Sequence, residues 1–408
     1  MGAFSLLRSL NREQRAAFIA ALLGWTLDAF DYFLMVFMFK AIAKDFSTTV
    51  KAVEFAVMLT LIGRPFGAFI FGWLADRYGR RRILMIDVLM YSSLELASAF
   101  APTLTSLLVI RALFGVAMGG EWGLGSALVM ETIPAAARGV VSGILQEGYA
   151  LGYLLASVVF GLLFDRIGWR GMFMVGVAPA LLVVYIRFSV KESTGWQKLE
   201  SKPVRIGLLQ SLRTNWKLVV YTVCLMTAFN FFSHGTQDLF PTYQTIQHKF
   251  NTHTVSVITI VANFGALTGG IFFGSWSQKV GRRRAIITAA LCILPALPFW
   301  AGAVSWSPIV LAIGAFFVQA AVQGAWGVIP AHLNELSPAE IRGTFPGFVY
   351  QIGNLIASTN LMIQNNLVEH FGGNYGLAMA LVAGTTAIVI CILTSLGTEA
   401  REAVLVEA

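Results

Sequence analysis

The sequence predicts an all-α integral membrane protein with twelve transmembrane helices arranged as two pseudo-symmetric six-helix bundles. Three observations carry that expectation. The chain is 57% hydrophobic and 12% charged, with a mean hydropathy of +0.71, more apolar than a soluble globule of 408 residues. Its apolar residues collect into twelve runs able to cross a bilayer, each crossing taking about 20 residues. Two polar stretches of the first half recur in the second, so the halves read as parallel repeats.

The predicted spans lie near 16–39, 52–74, 83–100, 104–130, 139–163 and 169–190, then 217–242, 253–276, 283–303, 306–333, 343–367 and 374–397. Residues 1–190 form one predicted bundle and 217–408 the other, with a polar, basic linker at 191–216. The first run holds Asp28 and Asp31 and shows no cleavage site, so it reads as a retained helix and not a signal peptide. The net charge is +8, and its distribution is informative. With a cytoplasmic N-terminus, twenty lysines and arginines fall in cytoplasmic segments and six outside, while Arg64, Arg111 and Arg187 fall within spans. That asymmetry puts both termini in the cytoplasm of a cell-membrane protein and implies the bilayer, not nucleic acid, as the partner of the charge. Cys224, Cys292 and Cys391 each sit in an apolar run, without metal or disulfide spacing, and read as packing residues.

The repeat is explicit. Gly72 to Arg82 reads Gly-Trp-Leu-Ala-Asp-Arg-Tyr-Gly-Arg-Arg-Arg and recurs 202 residues later as Gly274 to Arg284. Gly120, Trp122, Gly123, Glu131, Pro134, Arg138 and Gly139 recur 204 residues later at Gly324, Trp326, Gly327, Glu335, Pro338, Arg342 and Gly343. Asp76 can face the positive N-terminal end of a neighbouring helix, for which the helix after Arg342 is the candidate. In the second copy Gln278 replaces the acid, so a latch there is expected to be weaker. His332 and Glu335 are expected at a cytoplasmic edge, solvated or part of the latch.

The seventh span carries a polar stripe. Asn230, Ser233, His234, Gln237 and Asp238 share one helix face, since spacings of three, four, seven and eight bring side chains back into register. Ionisable groups at membrane depth mark a substrate or proton path or glue helices together, and both readings stand for this stripe. The other such groups are Asp28 and Asp31 in the first span, Arg64 near the middle of the second, Glu95 in the third, Arg111 and Glu121 in the fourth and Glu147 in the fifth. An arginine at that depth needs a carboxylate, either a protein acid or a substrate anion. The expected substrate-binding set is Arg64, Asn230, His234, Gln237, Tyr149, Gln351 and Asn354. The expected proton-coupling set is Asp28, Asp31, Arg111, Asp238, Glu121 and Glu147. No metal-ligand cluster or paired nucleophile and base occurs in the spans, so neither an enzyme nor a cofactor is expected.

The spacing Asn-x-x-Ser-His-x-Thr-Gln-Asp-x-x-x-Thr, from Asn230 to Thr242, resembles the signature of Jen-type lactate and pyruvate permeases, which belong to the sialate:proton symporter group of the major facilitator superfamily. Gly72, Asp76, Arg77, Gly79 and Arg80 resemble that superfamily's signature between its second and third helices, which implies a gating latch. Arg111, four residues before Gly115, is similar to the superfamily's buried arginine, and the resemblance implies an acidic partner in the first helix, matched here to Asp31. The fifth span lacks the Gly-Pro pair usual in the superfamily's antiporters, so symport is implied. The resemblance thus implies a monomeric proton-coupled symporter of small monocarboxylates working by alternating access. Sialic acid or an aromatic acid, stacked on Tyr149 or Tyr153, is the alternative substrate, and a nutrient sensor on a transporter fold is the alternative function.

Overall fold

The structure, a computed structural model, describes residues 3–200, 208–302, 307–401, 403 and 405, and every regular element among them is a helix. Polar caps set where spans begin. Asn11 opens the first span, Arg12–Asp45, with its side chain accepting from Gln14 N at 2.9 Å while the Gln14 side chain accepts from Asn11 N at 3.0 Å. Thr49 caps the second, Val50–Tyr78, and in the repeat Asn251 caps the eighth, Thr252–Val280.

Nine stretches among the described residues are long and apolar enough to cross a membrane. One of them, Ala135–Ser189, holds two of the expected spans, divided at Gly168, whose φ of 63° reverses the chain where few residues but glycine are comfortable. The third and eleventh spans are present as Arg80–Ala99 and as Phe345–Ala357 followed by Asn360–His370. Arginines, Asp87 and Glu95 lower the apolarity of the third, and Asn354, Asn360 and Gln364 that of the eleventh. The fourth span breaks between Leu104–Met118 and Glu121–Thr132, and its repeat breaks between Pro308–Trp326 and Ile329–Leu336. The starting residue of the expected tenth span, 306, and the last of the ninth, 303, lie outside the described residues, as does 201–207 of the linker.

Helix pairing repeats between the halves. The first span packs on the fifth as the seventh packs on the eleventh, and the second packs on the fourth as the eighth packs on the tenth. The two most extensive pairings across the halves are the fifth on the eighth and the second on the eleventh. At the first crossing the backbones nearly touch: a Cβ on Gly143 would lie 2.5 Å from Gly270 O, and one on Gly274 would lie 2.7 Å from Gly143 Cα. Glycine is required there for approach. Large apolar side chains such as Phe66, Leu162, Leu181 and Ile309 stay exposed around the outside, as a lipid-facing surface demands.

The polar, basic linker is partly helical. It carries the helices Thr194–Glu200 and Leu208–Thr214, and Trp196 is buried with its Nε1 donating to Asp76 O at 3.0 Å. The amphipathic indole hid this, since the segment reads as polar on average. One expectation, on the cysteines, needs correction: Cys224 and Cys292 are exposed rather than packed inside, because an apolar run does not say which of its faces meets lipid.

Candidate functional site

A cavity of about 510 Å³ lies between the halves, lined from the first, second, fifth, seventh, eighth, tenth and eleventh spans. Its centre is Arg64, whose Nη2 donates to Asp28 Oδ1 at 2.9 Å and lies 2.8 Å from Met118 Sδ. The guanidinium sits 5.7 Å from the Tyr32 ring centroid, and its Nε has no hydrogen-bond partner among the described residues. Pro65, directly after it, cannot donate to Leu61 O, which loosens the helix at the point where both Leu61 and Arg64 face the cavity. A planar fork with an unused edge is suited to a carboxylate.

The seventh-span stripe forms the opposite wall. His234 Nδ1 lies 3.1 Å from Asp238 Oδ1 and its Nε2 lies 3.2 Å from Asn354 Oδ1, so both ring nitrogens face acceptors. Asn360 Nδ2 donates to Asp238 Oδ2 at 3.3 Å. Gln237 Nε2 donates to Gln319 Oε1 at 3.1 Å, and Gln319 Nε2 to Thr236 Oγ1 at 3.3 Å. On the aromatic side Trp25 stands 5.8 Å from Tyr149 and 6.5 Å from Tyr350.

Of the expected site residues, Arg64, Asn230, His234, Gln237, Tyr149, Asn354, Asp28, Asp238 and Glu147 line this cavity. Asp31, Arg111, Glu121 and Gln351 do not; all four are buried behind it. Arg111 pairs with Glu95, Nη1 to Oε2 at 2.7 Å, and not with Asp31 as expected. The reason is reach: Glu95 in the third span extends one methylene further than an aspartate, and Ser98 beside it also accepts from Arg111 at 3.4 Å. Asp31 is left with both oxygens unpartnered among the described residues. Sequence reasoning missed Gln319 and Gln323 in the tenth span, although two amides four apart in an otherwise apolar run are a readable signal.

The family model described as Major Facilitator Superfamily matches residues 21–359, with a second match over 223–405. The chain belongs to the Major Facilitator Superfamily. It is 29% identical over 398 residues to the sialic acid transporter NanX of Escherichia coli K12, covering 96% of this chain and 95% of that protein. It is 27% identical over 414 residues to the carboxylic acid transporter protein homolog of Saccharomyces cerevisiae, covering 95% and 67%. Among solved structures it is similar to the proton:xylose symporter XylE, with a TM-score of 0.80 at 20% identity over 96% of this chain and 98% of that one.

In this Major Facilitator Superfamily chain the repeated motifs close one end of the molecule beneath the cavity. Asp76 accepts from Gly343 N at 2.7 Å, Thr344 N at 3.0 Å and Thr344 Oγ1 at 2.6 Å. Arg80 pairs with Glu131 at 3.1 Å, and Arg282 binds Glu335 through Nε and Nη2, both at 2.8 Å. Two longer pairs cross between the halves, Arg138 to Glu335 and Arg342 to Glu131, each 3.7 Å. The Arg77 guanidinium sits 5.5 Å from the centroid of the Tyr78 ring. Ala403 and Leu405 join the same network: Arg138 Nη1 donates to Ala403 O at 2.7 Å and Arg342 Nη1 to Leu405 O at 3.1 Å. His332 and Glu335 are buried, at 0% and 6% exposure, and of the two readings the sequence offered for them Glu335 takes the latch, through Arg282 from a motif 53 residues earlier and through Arg138 across the halves.

Proposed function

We propose that the chain is a symporter that couples entry of a small organic acid anion to a proton by alternating access, with residues 1–190 and 217–408 rocking about the cavity. The observation that carries this reading is Arg64, facing the cavity with its fork half used and a protein carboxylate, Asp28, on the used half. Two acids then compete for one cation. A substrate carboxylate on Arg64 deprives Asp28 of its partner, and a buried carboxylate without a cation binds a proton more tightly, so anion and proton load together. His234 and Asp238, on the far wall, give a second hydrogen-bonding pole for the substrate. One proton with one monoanion moves no net charge, so a pH gradient supplies about 1.36 kcal/mol per unit.

Orientation follows the charge asymmetry of the sequence: the closed end with the repeated arginines is cytoplasmic, both termini lie there, and the cavity faces outward across the cell membrane. The working unit is a monomer, and transport rather than catalysis or sensing is the activity. The resemblance of Asn230 to Thr242 to the lactate and pyruvate permeases favours a small monocarboxylate. The cavity favours a second reading. Pockets of about 300–1,000 Å³ suit ligands well above three carbons, and Gln237, Gln319, Gln323 and Asn354 offer amides for a polyhydroxylated or keto-bearing acid. A relative named as a sialic acid transporter supports this second reading, and one named as a carboxylic acid transporter supports an organic acid as substrate without choosing between the two.

The test is uptake into proteoliposomes under an inward proton gradient, with lactate and sialic acid as labelled substrates in parallel and unlabelled acids as competitors. Wild type accumulates at least one of them. Arg64→Lys keeps charge but loses the fork, so uptake falls at least about tenfold, and Arg64→Ala abolishes it. Near-normal uptake in both variants makes Arg64 structural and removes the basis of the proposal. Binding without accumulation in the wild type identifies a sensor instead.

A further inference from the structure

Behind the Arg64–Asp28 pair the first half buries more carboxylates than it has cations to match. Arg64 takes Asp28 and Arg111 takes Glu95. Asp87 in the third span and Glu121 in the fourth, each at 0% exposure, keep all four carboxylate oxygens without a hydrogen-bond partner among the described residues. Room has been made for them. A Cβ on Gly24 would lie 2.1 Å from Glu121 Oε1, and one on Gly120 would lie 2.8 Å from Asp87 Oδ1. Tyr91 Oη, also at 0% exposure, is likewise unpartnered. The charged and titratable groups within electrostatic reach of this group are Asp28 and Asp31 from the first span and Arg64 from the second.

An ionised carboxylate so placed costs several kcal/mol unless paired, and the two cations are already engaged. We propose that Asp87 and Glu121 form a proton-carrying station behind Asp28, which keeps the transported proton on protein while the anion holds Arg64. The inference rests on the function proposed above. When substrate opens the Arg64–Asp28 pair, an O–H bond breaks at Glu121 or Asp87 and one forms on an Asp28 oxygen. The carboxylate left behind is refilled from the open side, so one proton enters for each anion. Sequence position alone gave Asp87 no role, because it lies outside every recurring motif.

Asn and Gln have nearly the shape and hydrogen-bonding capacity of a protonated Asp and Glu but cannot release a proton. In proteoliposomes, Asp87→Asn and Glu121→Gln are expected to lose at least about tenfold of gradient-driven accumulation while exchange of labelled for unlabelled substrate stays within about twofold of wild type. Glu121→Asp, which restores an ionisable acid, is expected to recover accumulation. Unchanged accumulation in both isosteric variants overturns the station, and so does equal loss of accumulation and exchange in well-folded protein. Failure of the underlying reading looks different: wild type itself then shows no response to the proton gradient, and Asp28→Asn behaves as wild type.

Discussion

The first and second copies of the repeated motif share a scaffold and differ at one functional position. Both turn on a glycine with left-handed backbone, φ 105° at Gly79 and 99° at Gly281, where a side chain would be strained. Both place the next arginine on a glutamate, Arg80 on Glu131 and Arg282 on Glu335. Both cap the following helix with a carboxylate from just after a bundle's last helix: Glu192 accepts from Arg81 N at 3.1 Å, and Glu399 accepts from Arg282 N and Arg283 N, each at 3.1 Å. The difference is Asp76 against Gln278. Asp76 accepts three hydrogen bonds at the helix start after Arg342, whereas Gln278 accepts one across the halves, from Gly139 N at 3.2 Å, and otherwise serves Arg282 at 2.9 Å. Repetition preserved the turn and the internal ion pair, while the grip across the halves became lopsided.

The largest effect is expected from breaking the stronger grip. Asp76→Ala leaves two backbone N–H groups and a hydroxyl without their charged acceptor, at a cost of about 3–5 kcal/mol. Hydrogen exchange of the amides of Gly343 and Thr344 should accelerate at least about a hundredfold, and the closed end should open more often. Asp76→Asn sharpens the comparison, because it gives the first copy the chemistry of the second. Its exchange should fall between wild type and Asp76→Ala. Equal protection in all three would mean that packing, not this carboxylate, holds the end shut.

A smaller effect is expected at the second copy. Gln278→Ala removes one neutral hydrogen bond across the halves, worth about 1 kcal/mol, so exchange at Gly139 should rise about fivefold. A response as large as that of Asp76→Ala would erase the asymmetry between the copies.

The asymmetry itself was legible in the sequence, since a carboxylate and an amide at corresponding positions differ in charge wherever they land. The helix that Asp76 faces was also readable, because a motif that recurs after about 200 residues fixes which helix start lies opposite. Partners set by reach and rotamer were not. Arg111 had acids available in two spans, and nothing in the linear order distinguishes Asp31 from Glu95. The polar stripe of the seventh span could be placed on one face from spacing alone, but its neighbours Gln319 and Asn360 come from spans whose rotation about their own axes is set by packing. Asp87 escaped for a related reason: burial is what gives an isolated acid its meaning, and an arginine-rich third span reads as shallower than it is.

The smallest expected effect concerns the cap that both copies share, and it depends on pH. Glu399 lies past the last span. Burial alone would push its carboxyl up, but the N–H groups of Arg283, Arg282 and Arg401 bind the charged form and hold it below the ordinary value of 4.5. A group bound more tightly as the anion in the folded protein contributes stability that is fully present above its unfolded value and is lost as pH falls through its folded one. Thermal unfolding of the purified protein in detergent should therefore show a gap between wild type and Glu399→Gln that is constant above about pH 5.5 and shrinks on acidification below 4.5. Because other carboxyls titrate in both proteins, the difference between the two melting curves is the quantity that reports on this cap. The side chain is exposed, so water screens the interaction and the gap should be the least of the effects described here. A gap that stays constant to pH 3, or grows, would mean that Glu399 acts through shape and not through its charge at the helix start.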